Sequence, residues 1–178
     1  MKEYKSALVK EYMCGWVNKI DKNATLGEAL KQMVDEKTNS LVIVDSKNRP
    51  KGVISSRLII KEVVPEYLRD DEITSQFGAH GSLAKYAIQQ KDKIVKDFMY
   101  KDFHCLDPDD AMIEAATYAT KGARRILPVV NKEGELIGAI TRTAIKIAIY
   151  NTIYGEDRID PQAVVCPHEV KEKLKEEK

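Results

Sequence analysis

The sequence predicts a mixed α/β (α+β) fold made of two β-α-β-β-α repeats that pack about a pseudo-twofold axis. The first observation is internal repetition, because the pentapeptide VKEYM at residues 9–13 returns as VKDFM at residues 95–99. Aligned at a constant offset of 86, residues 8–64 and 94–150 share eleven identities in 57 positions without a gap. The second observation is composition: 43% of the 178 residues are hydrophobic, which is enough to build a core. Repeats this small are marginal alone, so we expect the two copies to bury their apolar faces on each other.

The first repeat opens with a predicted strand over residues 17–20. Asn23 or Thr25 is placed to cap the helix that follows, and Glu28 falls in its first turn. Spacing at i, i+3, i+4 and i+7 predicts one apolar stripe on that helix. The stripe consists of Leu26, Ala29, Leu30 and Met33.

The same repeat continues with two strands and a helix. Residues 41–44 read LVIV, a continuous apolar run that is typical of a strand covered on both faces. A turn over residues 46–50 leads to a strand at residues 52–55, and the next helix is predicted over residues 58–64.

The second repeat matches the first element for element. Its strands are predicted at residues 103–106, 126–130 and 136–141, with one helix starting at residues 108–110 and another over residues 144–153. The apolar stripe of its first helix has smaller side chains, which are Met112, Ala115, Ala116 and Ala119.

These elements divide the chain into four parts. The first repeat takes residues 1–64, a helical insertion residues 65–93, the second repeat residues 94–154 and a polar C-terminal tail residues 155–178. Within the insertion, Ser82 is placed to cap a helix that carries Leu83, Tyr86 and Ala87.

Charge and cysteine content exclude several functional classes. A net charge of +1 provides no field to attract nucleic acid, no apolar run is long enough to span a membrane, and the N-terminus does not resemble a signal peptide. Three cysteines without a CxxC pair argue against a disulfide framework and favour a reducing cytosol, which predicts a cytoplasmic protein. Cys166 and His168 are too few to hold a metal, and no catalytic triad or phosphate loop is present, so no enzyme activity is expected.

The ordered recurrence of these pieces resembles a CBS-domain pair, also called a Bateman module. The matching pieces are the two leaders at residues 9–13 and 95–99, the acidic turn at 107–110, the strand at 127–130, and the strand-to-helix junctions GVIS at 52–55 and GAIT at 138–141. They cover about residues 8–64 and 94–150.

The resemblance implies a regulatory module without a required cofactor. Such modules bind AMP, ADP, ATP or S-adenosylmethionine as a regulatory ligand and signal to a partner domain or protein, which is unknown here. They dimerise through the helices that follow the Gly-x-x-Ser/Thr strands, so a homodimer is expected. The apolar residues on those helices are Ile59, Ile60, Val63, Val64, Ile145, Ala148, Ile149 and Ile153.

The predicted ligand site lies in the cleft between the repeats. An adenine base needs an apolar slot, and phosphate needs hydroxyl or guanidinium donors. The predicted slot comprises Val17, Ile20, Phe103, Leu106, Ile126 and Pro128, and the predicted donors are Ser55, Thr141, Arg124 and Arg125, with Gly138 beside them. The alternative roles are helix capping for the two hydroxyls, a solvated helix end for the arginines, and strand geometry for Gly52 and Gly138.

One departure from the family concerns the ribose. Nucleotide-binding members carry an Asp three residues after the Ser or Thr, whereas this sequence has Leu58 and Ala144 there. A missing carboxylate removes charge-assisted hydrogen bonds worth about 1.5–3 kcal/mol each. The alternative function is therefore a ligand-free dimerisation scaffold.

Overall fold

The structure of the chain, a computed structural model, describes residues 7–69, 82–121, 126–155 and 159–160. It divides into two compact units. The first-repeat unit contains Asn18–Ser46 and Lys51–Lys101, and the second-repeat unit contains Met1–Val17, Lys47–Pro50 and Asp102–Lys178. Neither unit is continuous in sequence. Each includes the leader of the other repeat, which is residues 9–13 in the second-repeat unit and residues 95–99 in the first-repeat unit.

The first-repeat unit is a three-stranded sheet with helices against it. Its described elements are β1 (Lys19–Asp21), α2 (Leu26–Asp35), β2 (Ser40–Val44), β3 (Pro50–Ser55), α3 (Ser56–Val63), α4 (Glu66–Arg69), α5 (Ser82–Gln90) and α6 (Val95–Phe98). The strand order is β1-β2-β3, and β1 runs parallel to β2 with Ile20 opposite Ile43. All five residues of β2 are buried, which confirms the prediction of a strand covered on both faces.

The second-repeat unit has a two-stranded antiparallel sheet. Its described elements are α1 (Val9–Tyr12), α7 (Met112–Thr120), β4 (Ile126–Val130), β5 (Leu136–Thr141) and α8 (Arg142–Tyr154). The strand predicted at residues 103–106 is wrong in extent, because only Leu106 forms a bridge, to Val129 of β4.

The two leaders are exchanged between the repeats. In the second-repeat unit the N–H of Val9 donates to the carbonyl of Asp110 at 2.9 Å, and the N–H of Met112 donates to Ala7 at 2.8 Å. In the first-repeat unit Val95 donates to Ala24 at 2.9 Å, and Leu26 donates to Lys93 at 2.8 Å. The four bonds correspond pairwise at the offset of 86, so each repeat completes its fold with the leader of the other.

The start of each repeat's first helix follows its local side chains. Thr25 caps α2 in a capping box with Glu28, as predicted. The start predicted at residues 108–110 is wrong, because α7 begins at Met112 with Ala111 as an N-cap that makes no side-chain bond. The acidic residues before it form a turn instead, in which the N–H of Asp107 donates to Asp110 and the N–H of Asp109 donates to Asp107.

Each unit has its own apolar core. In the first-repeat unit, Leu26, Ala29 and Met33 of the predicted stripe are buried, whereas Leu30 is 43% exposed. In the second-repeat unit, Met112 and Ala115 are buried with Leu127, Val129 and Ile140 of the sheet. The predicted stripes are therefore correct at the positions nearest the sheets.

The insertion adds two described helices to the first-repeat unit. Residues 66–69 form a separate helix rather than a continuation of α3, since Pro65 follows the extended residue Val64. Tyr86 and Ala87 of α5 pack on the core, and the hydroxyls of Tyr67 and Tyr86 are hydrogen-bonded at 2.6 Å. Ser82, which was predicted to cap this helix, is the first residue of α5, and its capping role stays a prediction.

Cys14 departs from the prediction for the cysteines. It is disulfide-bonded, so the expectation of reduced cysteines is wrong at this position. Cys105 is a free, half-buried thiol, and its burial raises the pKa above the ordinary value of 9.0.

Candidate functional site

The predicted site residues of the second repeat meet on the β4–β5 sheet. Ile126 lies directly opposite Thr141, and Pro128 lies opposite Ala139. Residues that face each other in an antiparallel pair point to the same side of the sheet. Their neighbours Leu127 and Ile140 point the other way, into the core. Ile126, Pro128 and Thr141 therefore share the face turned away from that core, where Ile126 and Thr141 are half-buried and Pro128 is fully buried.

The segment before α7 lies alongside this sheet. The N–H of Leu106 donates to Pro128 at 2.9 Å, and the N–H of Val130 donates to Leu106 at 3.0 Å. The side chain of Leu106 is wholly buried in the core, whereas Phe103 is half-buried. Leu106 thus holds this segment against β4, and Phe103 and Cys105 precede it in the part of the segment that is not paired.

The hydroxyl of Thr141 sits at the junction between β5 and α8. It accepts the N–H of Ala144 at 3.3 Å and so caps α8, which is the alternative role anticipated for it. The Thr141 side chain remains half-buried, and its hydroxyl hydrogen is available for donation to another group. Capping and a ligand contact are therefore compatible at this residue.

Gly138 lies against residues 13 and 14, at the end of the leader that completes the second-repeat unit. A β-carbon there would lie 3.0 Å from the carbonyl oxygen of Cys14 and 3.1 Å from the sulfur of Met13. The glycine is explained by this close approach of backbone, and a ligand contact at Gly138 stays a prediction.

The first-repeat unit carries the equivalent junction at Ser55. The Ser55 hydroxyl accepts the N–H of Leu58 at 3.4 Å and caps α3, and its side chain is buried, with 5% exposed. Ile20 is half-buried against the core of this unit. Val17 is half-buried and belongs to the second-repeat unit. Ser55 is thus less accessible than Thr141.

The positions of the family's ribose carboxylate are part of the cores. Leu58 is 4% exposed and packs in the core of the first-repeat unit, and Ala144 is fully buried in the core of the second-repeat unit. These side chains contribute apolar burial and have no polar atom to offer a hydroxyl. A ribose bound near either junction must find a different acceptor.

Arg124 and Arg125, the predicted phosphate donors, lie outside the described residues. Their predicted role therefore stays a prediction. The same holds for Cys166 and His168 of the tail.

A cluster around His104 was not foreseen from the sequence. The His104 ring stacks on Tyr118 with centroids 3.8 Å apart, and its Nε2 lies 3.3 Å from a carboxylate oxygen of Glu114. Lys121 places its Nζ 5.4 Å from the centre of the Tyr118 ring. The only sequence signal is that Glu114, Tyr118 and Lys121 recur at helical spacing, and nothing local links them to His104.

The described residues 7–69, 82–121, 126–155 and 159–160 offer neither a metal site nor a membrane span. There, no group of three or more His, Cys, Asp or Glu side chains could hold a metal ion. Among the same residues, every helix is too short or too polar to cross a bilayer.

The sequence is similar to one protein family and to several individual proteins. The model of the CBS domain matches this chain twice, over residues 9–65 and 95–151. An uncharacterised 17.7 kDa protein of Acidianus ambivalens is 24% identical over 82% of this chain and 77% of its own length. Two choline-type transport ATP-binding proteins of Bacillus subtilis match 78% of this chain but only 30% of their own length.

Solved structures share the fold at low sequence identity. CBSX2 of Arabidopsis thaliana, a CBS-pair protein, is 21% identical, with a TM-score of 0.67 over 83% of this chain and 96% of its own. A second structure of CBSX2 is a complex with AMP (TM-score 0.59, 22% identity, 81% and 96% coverage). The CBS domain pair of protein MJ0100, solved with 5′-methylthioadenosine and S-adenosylmethionine, has a TM-score of 0.61 at 20% identity over 83% and 98% of the two chains. With two family matches that together span more than half of its length, this chain belongs to the CBS-domain family.

Proposed function

We propose that this chain is a regulatory, non-catalytic module that binds an adenosine-type nucleotide or a related metabolite and signals to a partner. The observation that carries the proposal is the shared sheet face of Ile126, Pro128 and Thr141. The half-buried Ile126 lies opposite the half-buried Thr141, whose hydroxyl can still donate a hydrogen bond, and an apolar surface beside a donor is the combination that a nucleoside requires. The ligands of CBSX2 and MJ0100 support an adenosine compound as the class.

Isothermal titration calorimetry with AMP, ADP, ATP and S-adenosylmethionine tests the proposal directly. Thr141→Val keeps the shape of the side chain and removes the hydroxyl, so the Kd of the best ligand should rise about five- to tenfold, as for one hydrogen bond. Thr25→Val is the matched control, because Thr25 is also a helix-capping threonine but belongs to the other unit. No heat with any of the four compounds at millimolar concentration would remove the adenosine proposal.

A phosphate contact from Arg125 is a separate part of the proposal. Arg125→Ala should weaken AMP binding and leave adenosine binding unchanged, since adenosine has no phosphate. Equal losses for both ligands would contradict that role.

Cys105 offers a second test of where the ligand binds. It stands next to Leu106 beside β4, so a ligand bound at this sheet should slow the alkylation of its thiol.

A ligand-free dimerisation scaffold is the second candidate function. The burial of Leu58 and Ala144 favours it, because both positions that would anchor a ribose are used for core packing. Native mass spectrometry of the freshly purified protein separates the two functions. A copurifying adenine compound at stoichiometric level would rule out the scaffold, and its absence together with silent calorimetry would favour it.

We also propose a homodimer for either function. Of the apolar residues predicted for the dimer helix α3, Ile59 and Val63 are buried within their own unit, and Ile60 is 61% exposed. On α2 of the same unit, Leu30 and Val34 are 43% and 67% exposed. Sedimentation velocity of Val34→Glu against the unaltered chain should show loss of the dimer, and an unchanged dimer would exclude this face.

The cellular location and the absence of a nucleic-acid partner stay predictions. The cysteine argument for a reducing cytosol is weakened by the disulfide at Cys14.

A further inference from the structure

The segment that leads into Leu106 lacks one backbone bond that its counterpart in the first repeat makes. In the first-repeat unit the N–H of Val42 donates to the carbonyl of Asn18 at 2.9 Å, which extends the pairing of β1 with β2. At the offset of 86 the corresponding residues are Pro128 and His104. Proline has no N–H, so the carbonyl of His104 cannot receive this bond. The missing donor explains why the pairing of this segment with β4 is reduced to Leu106.

His104 instead contacts α7 through its side chain. The His104 ring stacks on Tyr118 with centroids 3.8 Å apart and planes 13° from parallel, and its Nε2 lies 3.3 Å from a carboxylate oxygen of Glu114. Tyr118 packs in turn against the core of the second-repeat unit, so its ring is a firm base for the stack. Stacking on such a base restricts both the His104 ring and the backbone that carries it.

The first repeat makes a contact from the equivalent position of its first helix. Gln32 of α2 corresponds to Tyr118, and its Nε2 donates to the carbonyl of Lys19 at 3.1 Å. Lys19 corresponds to Cys105, the residue after His104. The same helix position therefore contacts the same segment in both repeats, by a hydrogen bond in the first and by ring stacking in the second.

The direction of the side chains shows what this segment places beside the sheet. Residues 101–105 form no helix, turn or bend, and side chains alternate along an extended chain. Leu106 is in register with Val129 of β4, and both are wholly buried in the core. Phe103 and Cys105 therefore point to the opposite side, which is the side of the proposed ligand face.

We propose that His104 is a positioning residue for the ligand. Its stack on Tyr118 replaces the backbone bond that Pro128 removes. The stack thereby holds Phe103 and Cys105 at the ligand face, and His104 itself does not touch the ligand. A segment that is ordered before binding does not have to be ordered by the ligand, which raises the affinity. This role rests on the proposed function and adds to it a residue that belongs neither to the apolar slot nor to the phosphate donors.

The first test needs no ligand, because it follows the thiol of Cys105. Iodoacetamide labelling of the full chain, quantified by mass spectrometry of the Cys105 peptide, should become about threefold faster or more in His104→Ala, because the segment is released. His104→Phe keeps a ring for the stack and should label at the original rate. Asn18→Ala is the matched control at the same position of the first repeat, where the backbone bond is present, and it should also leave the rate unchanged.

Pro128→Val tests whether the stack replaces the missing bond. Valine stands at this position in the first repeat, as Val42, and it restores the N–H that the carbonyl of His104 lacks. In the double variant Pro128→Val/His104→Ala, labelling of Cys105 should therefore return to within about twofold of the unaltered chain. A double variant that labels as fast as His104→Ala alone would contradict the replacement.

Calorimetry with AMP measures the effect on binding. The Kd of His104→Ala should rise about tenfold, as expected when one backbone residue must be ordered at binding, and that of His104→Phe should stay within about threefold. Tyr118→Leu keeps an apolar side chain and removes the other ring of the stack, so it should give the same loss as His104→Ala. The two changes together should cost no more affinity than either alone, because they break one interaction.

Two results would overturn the role of His104. One is unchanged labelling of Cys105 in His104→Ala, which would show that the stack does not hold the segment. The other is an AMP affinity that is unchanged in His104→Ala or that falls equally in His104→Phe. Silence of the unaltered chain toward AMP would remove the proposed function and this role with it, whereas the labelling would still decide whether the stack holds the segment.

Discussion

Replacing Gly52 with alanine tests the close approach between β3 and residues 99 and 100, at the end of the leader that completes the first-repeat unit. A β-carbon at Gly52 would lie 2.6 Å from the sulfur of Met99 and 2.9 Å from the carbonyl oxygen of Tyr100. The methionine side chain can rotate away, but that carbonyl accepts the N–H of Val53 at 3.1 Å, and Tyr100 donates back to Val53 at 3.0 Å. Relief of the contact must therefore strain a paired backbone bridge.

The expected loss follows from two opposing effects. Overpacking in a well-packed interior costs about 1–3 kcal/mol, and the lower chain entropy of alanine in the unfolded state returns about 0.4–1 kcal/mol. Because the contacts at Gly52 are shorter than 3.0 Å, the overpacking cost lies at the upper end of that range, and Gly52→Ala should lower the free energy of unfolding by about 2 kcal/mol. Gly138→Ala should lose about 1 kcal/mol less, because its nearest contacts are 3.0 and 3.1 Å away.

Urea unfolding followed by circular dichroism measures these differences as shifts in midpoint at constant slope. Gly15→Ala is the matched control, since a β-carbon there meets nothing within 4 Å and the change should be within about 0.5 kcal/mol of neutral. The reasoning is refuted if Gly52→Ala is as stable as the unaltered chain, or if Gly138→Ala loses more than Gly52→Ala.

Three further predictions concern caps, the free thiol and the insertion. Thr25→Ala should lower the free energy of unfolding in urea by about 1 kcal/mol, because it removes the cap of α2. Ala111→Thr should raise it by a similar amount, because Glu114 already occupies the third helical position that a capping box needs, and a destabilised Ala111→Thr would contradict this. Cys105 should react slowly with iodoacetamide at pH 8, and its rate should still be rising above pH 9, because the raised pKa delays formation of the thiolate; a plateau at pH 9 would argue against burial. Tyr67→Phe should lower the free energy of unfolding by about 1 kcal/mol and speed amide hydrogen exchange in α5, because it removes the hydrogen bond to Tyr86. Unchanged exchange would show that this bond does not hold the helix.

Features that depend on nearby residues were predictable from the sequence. The cap at Thr25 and Glu28 was predicted because both residues lie within one turn of each other. The start of α7 was predicted incorrectly, because there the local pattern of residues was misleading. Three aspartates resemble a helix start, but the carboxylates of Asp107 and Asp110 accept N–H groups of their own turn, that of Asp109 pairs with Lys10, and the helix begins only at Met112.

The candidate site was only partly predictable. The hydroxyls of Ser55 and Thr141 and the strand that carries Ile126 and Pro128 follow from the repeat and the resemblance. The stacking of His104 on Tyr118 could not be read from the sequence, because two rings fourteen positions apart meet only through the packing of α7 on its unit.

The duplication, the order of elements, most helix stripes and membership of the family follow from the sequence alone, because each depends on periodicity or on short ordered motifs. Which leader completes which repeat, and why Gly52 and Gly138 recur, became apparent only in three dimensions. The three-dimensional structure also showed that α5 of the insertion packs on the core of the first-repeat unit. These outcomes rest on contacts between residues far apart in the chain, and such contacts are selected by the free energy of packing rather than by local pattern.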